Sequence, residues 1–314
     1  MISYTSGQNN YQTTDYNEIT GDLVTTFTEQ PIFKCGSMKE SIENDIRSLG
    51  NRKIAVMFSG GMDSEIVLEA CRDIKADYYA VFCLYTYRKM PVNTHELYHV
   101  EKYCRENSVQ LKTVELDLEW FYEGGEFLEY SKKYLCNFAQ ICAYLWIIDQ
   151  IDDYLLLGGD APHITSTDPL TFFAPLLGQC SVERKFAMDG RTGIPNMLTH
   201  SLTTMCYCLK LWQDQFPKTD LSVAKRVLKV DDPRLTVPNS PSFAKQVFPR
   251  WAYTTIKHGM YRDGGFSAEI KPKYSSPFAL LADIKMSDYD TEIKINTRLS
   301  TVMPCHSLIN YTTF

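Results

Sequence analysis

What this sequence lacks narrows its class before any motif is read. No stretch approaches the roughly 20 consecutive apolar residues that span a bilayer. Residues 1–10 are polar, without the basic-then-apolar order of a secretory signal. The chain has 10 cysteines but no Cys-x-x-Cys, so zinc cages and redox dithiols of that spacing find no support. No Gly-x-x-x-x-Gly-Lys-Ser/Thr occurs, which excludes a Walker-type phosphate loop. Neither sign of charge dominates: 32 Lys and Arg against 38 Asp and Glu leave a formal −6, with no overall attraction to nucleic acid. Internal repeats and low-complexity tracts are also missing. A soluble, cytoplasmic protein is the expectation.

What is there belongs to an ordinary globular chain. Its 314 residues are 44% hydrophobic and 22% charged, enough for one large domain or two unequal ones. Cys83 and Cys142 sit inside apolar runs and read as buried, reduced thiols, and Cys206-x-Cys208 on a predicted helix reads as packing.

Residues 1–34 are rich in Thr, Asn, Gln and Tyr and predict a loose lead-in with one strand around residues 23–27. Residues 37–49 predict a helix: Ser37 caps it, Glu40 follows three residues later, and Met38, Ile42, Ile46 and Leu49 share one face. Residues 53–58 form a short apolar run of the kind buried in a sheet. Gly60-Gly61 breaks the run, and helical spacing resumes over 62–72 through Ile66, Val67, Ala70 and Cys71. The alternation continues with strand 78–85, helix 93–106 capped by Asn93 or Thr94, strand 110–116, one long or two short helices over 126–150, and strand 154–157 ending at Gly158-Gly159.

This pattern predicts an open, mainly parallel five-stranded sheet with helices on both faces, the 53–58 strand central and the 78–85 strand beside it. In such sheets ligands bind beyond the carboxyl ends of the strands, where the strand order reverses. Both glycine turns, at 59–64 and 158–160, belong to that edge and imply one site. Further on, residues 196–216 predict a helix with an apolar stripe from Met197 to Trp212, and 220–228 another. Pro233, Pro238, Pro241 and Pro249 then cluster in a loop-rich stretch.

The turn Ser59-Gly60-Gly61-Met62-Asp63-Ser64 lies between a strand and a helix, where backbone N–H groups at the positive helix end cradle an anion. Ser59 and Ser64 add hydroxyl donors. Without a lysine, extra charge falls to Mg²⁺ or to distant basic residues, and Asp63 beside phosphates requires a bridging cation. Phe58-Ser59-Gly60-Gly61-Met62-Asp63-Ser64 resembles the Ser-Gly-Gly-x-Asp-Ser PP-loop of the N-type ATP pyrophosphatases. These include asparagine, GMP, NAD and argininosuccinate synthetases, tRNA thiolases and phosphoadenylylsulfate reductases.

The resemblance covers about residues 37–162. It implies an adenine nucleotide alpha hydrolase-like fold, ATP with its pyrophosphate held by Ser59, Gly60, Gly61, Met62, Asp63 and Ser64, and adenine near Leu84, Tyr85 and Thr86. Leu155-Leu156-Leu157-Gly158-Gly159-Asp160 is similar to the later glycine-acid turn of asparagine synthetase domains, which implies ATP contacts from Gly158 and Gly159. Asp63 is read as a catalytic and Mg²⁺-binding carboxylate; Asp160 either joins it in both roles or caps the helix that follows the glycine turn. The implied division is a lead-in over 1–36, an ATP-binding α/β domain over 37–185, and a mostly helical region over 186–314 that completes the acceptor site.

The chain departs from the asparagine synthetases in places. Glu65 stands where a second serine is usual, and Gly-Gly-Asp-Ala-Pro-His replaces a Gly-x-Gly-x-Asp-Glu turn. Ile2 occupies the place of a glutaminase cysteine, so the nitrogen donor is expected to be ammonia, an amine, or ammonia from a partner protein. Pro304-Cys305-His306 is faintly similar to the reductases' terminal cysteine motif, which keeps a single-cysteine sulfur chemistry as the alternative; a nucleotide-binding module without turnover is the third reading. His163, Arg88 and Lys89 are further candidates near ATP. Lys185, Arg191, Lys257, Lys271 and Lys273 are candidates to neutralise pyrophosphate, and no spacing selects among them.

Overall fold

The computed structural model describes residues 2–5, 12–16, 23–27, 38–91, 93–134, 136, 139–158, 163–166, 171–174, 177–201 and 204. The Thr- and Tyr-rich start of the chain is strand-forming, because β-branched and aromatic side chains suit a pleated surface. β1 (Ile2–Thr5), β2 (Gln12–Tyr16) and β3 (Leu23–Phe27) form an antiparallel sheet in which Tyr16 lies opposite both Ile2 and Leu23. Only β3 was legible, since β1 and β2 lack alternating apolar residues.

α1 (Met38–Arg47) buries Ile42 and Ile46 as predicted, while its expected cap Ser37 lies outside the described residues. β4 (Ile54–Met57) is apolar throughout because both its faces are covered. Ile54 and Val56 pack among side chains of α1, α2 (Met62–Asp73) and α3 (Thr94–Glu106). Ala55 packs on the other face with residues of α5 (Ala139–Ile148) and α6 (Leu177–Asp189).

β5 (Tyr78–Tyr87) lies beside β4, with Met57 opposite Val81. A hairpin whose turn residues Arg88 and Lys89 have φ of 51° and 64° returns it into β6 (Met90–Pro91). β7 (Leu111–Asp117) flanks β5 on its far side and runs into a π-helical turn, Glu119–Glu123. The 126–150 region resolves into two helices, α4 (Glu126–Tyr134) and α5.

β8 (Tyr154–Leu156) then returns to the opposite side of β4. β9 (His163–Ser166) and β10 (Thr171–Ala174) make a separate antiparallel pair, and β11 (Gly193–Ile194) adds to β8. The strand order is β11-β8-β4-β5, with β7 beyond β5 and all neighbours parallel; β6 alone runs against them among the described strands. The predicted architecture is thus present, with β4 central. The chain moves one way from β4 to β7 and then back across to β8, so the order reverses between β4 and β8.

After β11, Asn196 caps a 3₁₀ turn (Met197–Thr199) by accepting from Leu198 N–H at 3.0 Å. Here the sequence predicted the start of a long helix, and the rest of that prediction lies outside the described residues. Ser201 and Thr204 then donate to the buried carboxylate of Asp45 on α1, at 2.8 and 3.0 Å.

Candidate functional site

The last bond of the β4–β5 ladder runs from Phe58 N–H to Val81 C=O, at 2.8 Å, and the chain then leaves the sheet. Gly60 turns it at a φ of 72°, in the left-handed region that glycine adopts without Cβ strain. Gly61 caps α2 at φ −89° and ψ 160° without any side-chain cap bond. Its carbonyl accepts from Glu65 N–H at 3.0 Å and from the Ser64 hydroxyl at 3.0 Å. A glycine cap brings no side chain of its own to the helix end, where the N–H groups of the first turn lack intrahelical partners. Met62 and Asp63 open that turn, Asp63 is half-buried, Ser64 is buried and Ser59 is exposed. The loop thus lies at the carboxyl edge of the central strand, where the spacing placed it.

Gly158 joins the second glycine turn to the first. A Cβ on Gly158 would lie 2.5 Å from the carbonyl carbon of Asp63 and 2.7 Å from Ser64 N. Only glycine lets the end of β8 lie against the start of α2, which brings the first residue of the second turn beside the first turn. Gly159 and Asp160 lie outside the described residues, so the structure adds nothing on their contacts. On the other side of the loop, β5 continues past the end of β4 to Tyr87, carrying Leu84 and Tyr85 opposite Glu115 and Leu116 of β7.

The predicted helix cap Asn93 has another role. Its side chain makes no cap bond to α3; the amide Nδ2 donates to Cys83 C=O and Oδ1 accepts from Tyr85 N–H, both at 2.9 Å. Nδ2 also lies 3.2 Å from a Glu96 carboxylate oxygen. Asn93 is fully buried. Sequence reasoning missed this because a cap residue and a strand-edge residue carry the same Asn.

The basic candidates separate. Lys185 is buried between the rings of Tyr130 and Tyr134, with Asp149 at 2.5 Å and Asp189 at 2.9 Å. Asp149 precedes the start of β8 and Asp189 the start of β11, so this cluster sits at the amino ends of the strands, away from the loop. Arg191 is held there too, donating to the carbonyls of Asp152 and Asp153 at 3.3 and 3.0 Å. Arg88 and Lys89 are exposed at the tip of the β5–β6 hairpin. His163 begins β9, and Lys257, Lys271, Lys273 and Cys305 lie outside the described residues.

Burial pushes the thiols of Cys71, Cys83 and Cys104 up to about 12. Its hydrogen bond with Cys136, together with burial, raises Cys142 as well. These thiols are protonated at neutral pH and are poor nucleophiles. Among the described residues no group of three or more His, Cys, Asp and Glu could hold a metal ion, and no helix is long and apolar enough to cross a membrane.

No protein-family model and no curated protein matches the chain. Among solved structures it is similar to an NH3-dependent NAD synthetase from Campylobacter jejuni, at 15% identity and a TM-score of 0.31 over 70% of this chain and 93% of that one. It is similar to a glutamine-dependent NAD+ synthetase from Acinetobacter baumannii, in complex with ADP, at 12% identity and a TM-score of 0.29. That match covers 88% of this chain and 48% of the synthetase, about half its length. The U34-tRNA thiolase NcsA from Methanococcus maripaludis, which carries a [4Fe-4S] cluster, matches at 15% identity and a TM-score of 0.30, over 85% of this chain and 84% of its own. With TM-scores of 0.29 to 0.31, fold and site rest on the strand order and the loop rather than on these likenesses.

Proposed function

We propose that the chain is a PP-loop enzyme that binds ATP with the β,γ-pyrophosphate in the 59–64 loop and cleaves it to AMP and pyrophosphate while activating an acceptor. One observation carries the reading: a lysine-free glycine loop at the carboxyl end of the central strand, at the point where strand order reverses, opening a helix whose N-cap is glycine. The loop amides and the Ser59 and Ser64 hydroxyls neutralise the leaving pyrophosphate and fix it, so that the α-phosphorus faces the acceptor. A carboxylate or carbonyl oxygen of the acceptor attacks in line, and ammonia or an amine, supplied in solution or by a partner protein, then displaces AMP. This is the asparagine synthetase-like form of the reaction.

Mg²⁺ fits this site as a shared ligand rather than in a protein cage. Asp63, half-buried in the first turn of α2, is the described carboxylate nearest the loop by chain position, and Asp160 follows Gly158 by two residues. Those two, with phosphate oxygens, would hold the ion, which supplies charge neutralisation on the phosphates. The protonated state of the described thiols supports this reading over sulfur transfer through them.

The test is turnover of ATP labelled separately in the α and γ phosphates, against pools of amino acids, nucleosides and amines. AMP and pyrophosphate are expected in equal amounts and only with the right acceptor. Asp63→Asn is expected to keep its melting temperature and lose about a hundredfold in turnover. ADP as the main product, or full activity in Asp63→Asn, overturns the mechanism.

A further inference from the structure

Between Val81, where β4 ends, and Thr86–Tyr87, where β6 pairs, β5 has no strand partner on one side. Ala80 N–H bonds to Gln110 C=O at 2.8 Å, so the even-numbered peptide groups of β5 face β7; Phe58 N–H to Val81 C=O shows that the odd-numbered ones face β4. Once β4 leaves the sheet at Ser59, the edge formed by Cys83 and Tyr85 requires new partners, because a buried peptide group left without one is costly. The Asn93 side-chain amide spans both, with its donor on Cys83 C=O and its acceptor on Tyr85 N–H at equal 2.9 Å distances. The two partners demand opposite ends of the amide, which settles its orientation. It occupies the place of one peptide unit of a strand that is not there.

The consequence for a ligand follows from the two flanks of the loop. On the β8 side Gly158 lies against the Asp63–Ser64 peptide and leaves no room for a side chain. On the β5 side the strand runs on past β4 as a wall. A nucleotide with phosphates in the loop therefore lays its sugar and base beside residues 83–85, short of the β6 pairing at Thr86 and Tyr87. We propose that Asn93 is the positioning residue for the base end of the nucleotide: as a surrogate strand it holds this stretch of β5 extended beside the loop. This rests on the reading that the loop takes the phosphates of ATP.

Binding of ATP and of inorganic tripolyphosphate, each with Mg²⁺, to the wild type, Asn93→Ala and Asn93→Asp tests it. Tripolyphosphate reports the loop alone, and the ratio of the two dissociation constants reports the base end. The expected result is a wild-type preference for ATP that falls about tenfold in both variants, while tripolyphosphate affinity holds within about twofold. An unchanged ratio overturns the proposal and leaves the loop reading standing. Parallel loss of both ligands, or failure of both variants to fold, makes Asn93 a purely structural residue and overturns it equally. Equal wild-type affinity for the two ligands also overturns it, whereas a wild type that binds neither sinks the loop reading as well.

Discussion

Gly60 and Gly61 are neighbours, yet a side chain would do different harm at each. Gly60 has a φ of 72°, where an L-residue costs about 1–2 kcal/mol whatever space is available. Gly61, at φ −89° and ψ 160°, is in extended backbone that a β-branched residue prefers. Gly61→Val is therefore expected to melt near the wild-type temperature and to gain nothing from ATP, because the new side chain fills the cradle. Gly60→Val is expected to melt lower even without nucleotide. Thermal unfolding with and without ATP separates them, and ATP stabilisation that persists in Gly61→Val would count against the loop as the site. The loop was legible because its chemistry is local. The contact of Gly158 with Asp63 was not, since it depends on β8 returning beside β4, and Asn93 was read as a cap because a local reading assigns its amide to its own helix.

At the scale of elements, strands covered on both faces were legible from their apolar runs, whereas the two-residue β11 left no pattern to read. α6 escaped for another reason. Residues 181–187 are all buried, including Glu183, Arg184 and Lys185, so the helix shows no polar face and no amphipathic period. The two cations are held by neighbours: Arg184 donates to Tyr134 C=O at 2.7 Å, and Lys185 joins α6 to Tyr134 of α4 at 3.0 Å and to Asp149. Against the raising effect of burial, hydrogen bonds from Tyr134, Lys185 and Lys133 hold the Asp189 carboxyl below its ordinary range. Lys185→Met removes that cation and is expected to destabilise the fold by about 1–3 kcal/mol, since both carboxylates retain some solvent. Its ATP-induced stabilisation is expected to match the wild type, because the cluster lies at the amino ends of the strands. Loss of that stabilisation in a folded Lys185→Met protein would place Lys185 back among the phosphate ligands.

For the whole molecule, the buried ionisable groups set how stability changes with pH. Burial raises Asp45 from 3.8 to about 7, only partly countered by the Ser201 and Thr204 hydroxyls. Burial likewise raises Glu183 from 4.5 to about 7, partly countered by Arg184, and it lowers His200 from 6.5 to about 4. A carboxyl raised in the folded state stabilises most below its unfolded value, and that contribution is lost as pH climbs through the folded one. The histidine does the reverse: its contribution is present above 6.5 and is lost as pH falls towards 4. From about pH 4.5 to 6.5 two carboxyls pull stability down with rising pH and one histidine pushes it up. The net is a fall of up to about 1.4 kcal/mol per pH unit for one proton, continuing to about pH 7 on the carboxyls alone. Asp45→Asn keeps an oxygen for the Ser201 and Thr204 hydroxyls and removes one carboxyl. Its profile is expected to be nearly flat from about pH 4.5 to 6.5, where Glu183 and His200 offset each other, and its stability at pH 8 should exceed the wild type's. Urea unfolding at a series of pH values measures both curves. Wild-type stability that rises between pH 5 and 8, or an Asp45→Asn slope equal to the wild type's, would show that Asp45 is ionised in the fold and that the pocket formed by α1, Ser201 and Thr204 solvates its charge.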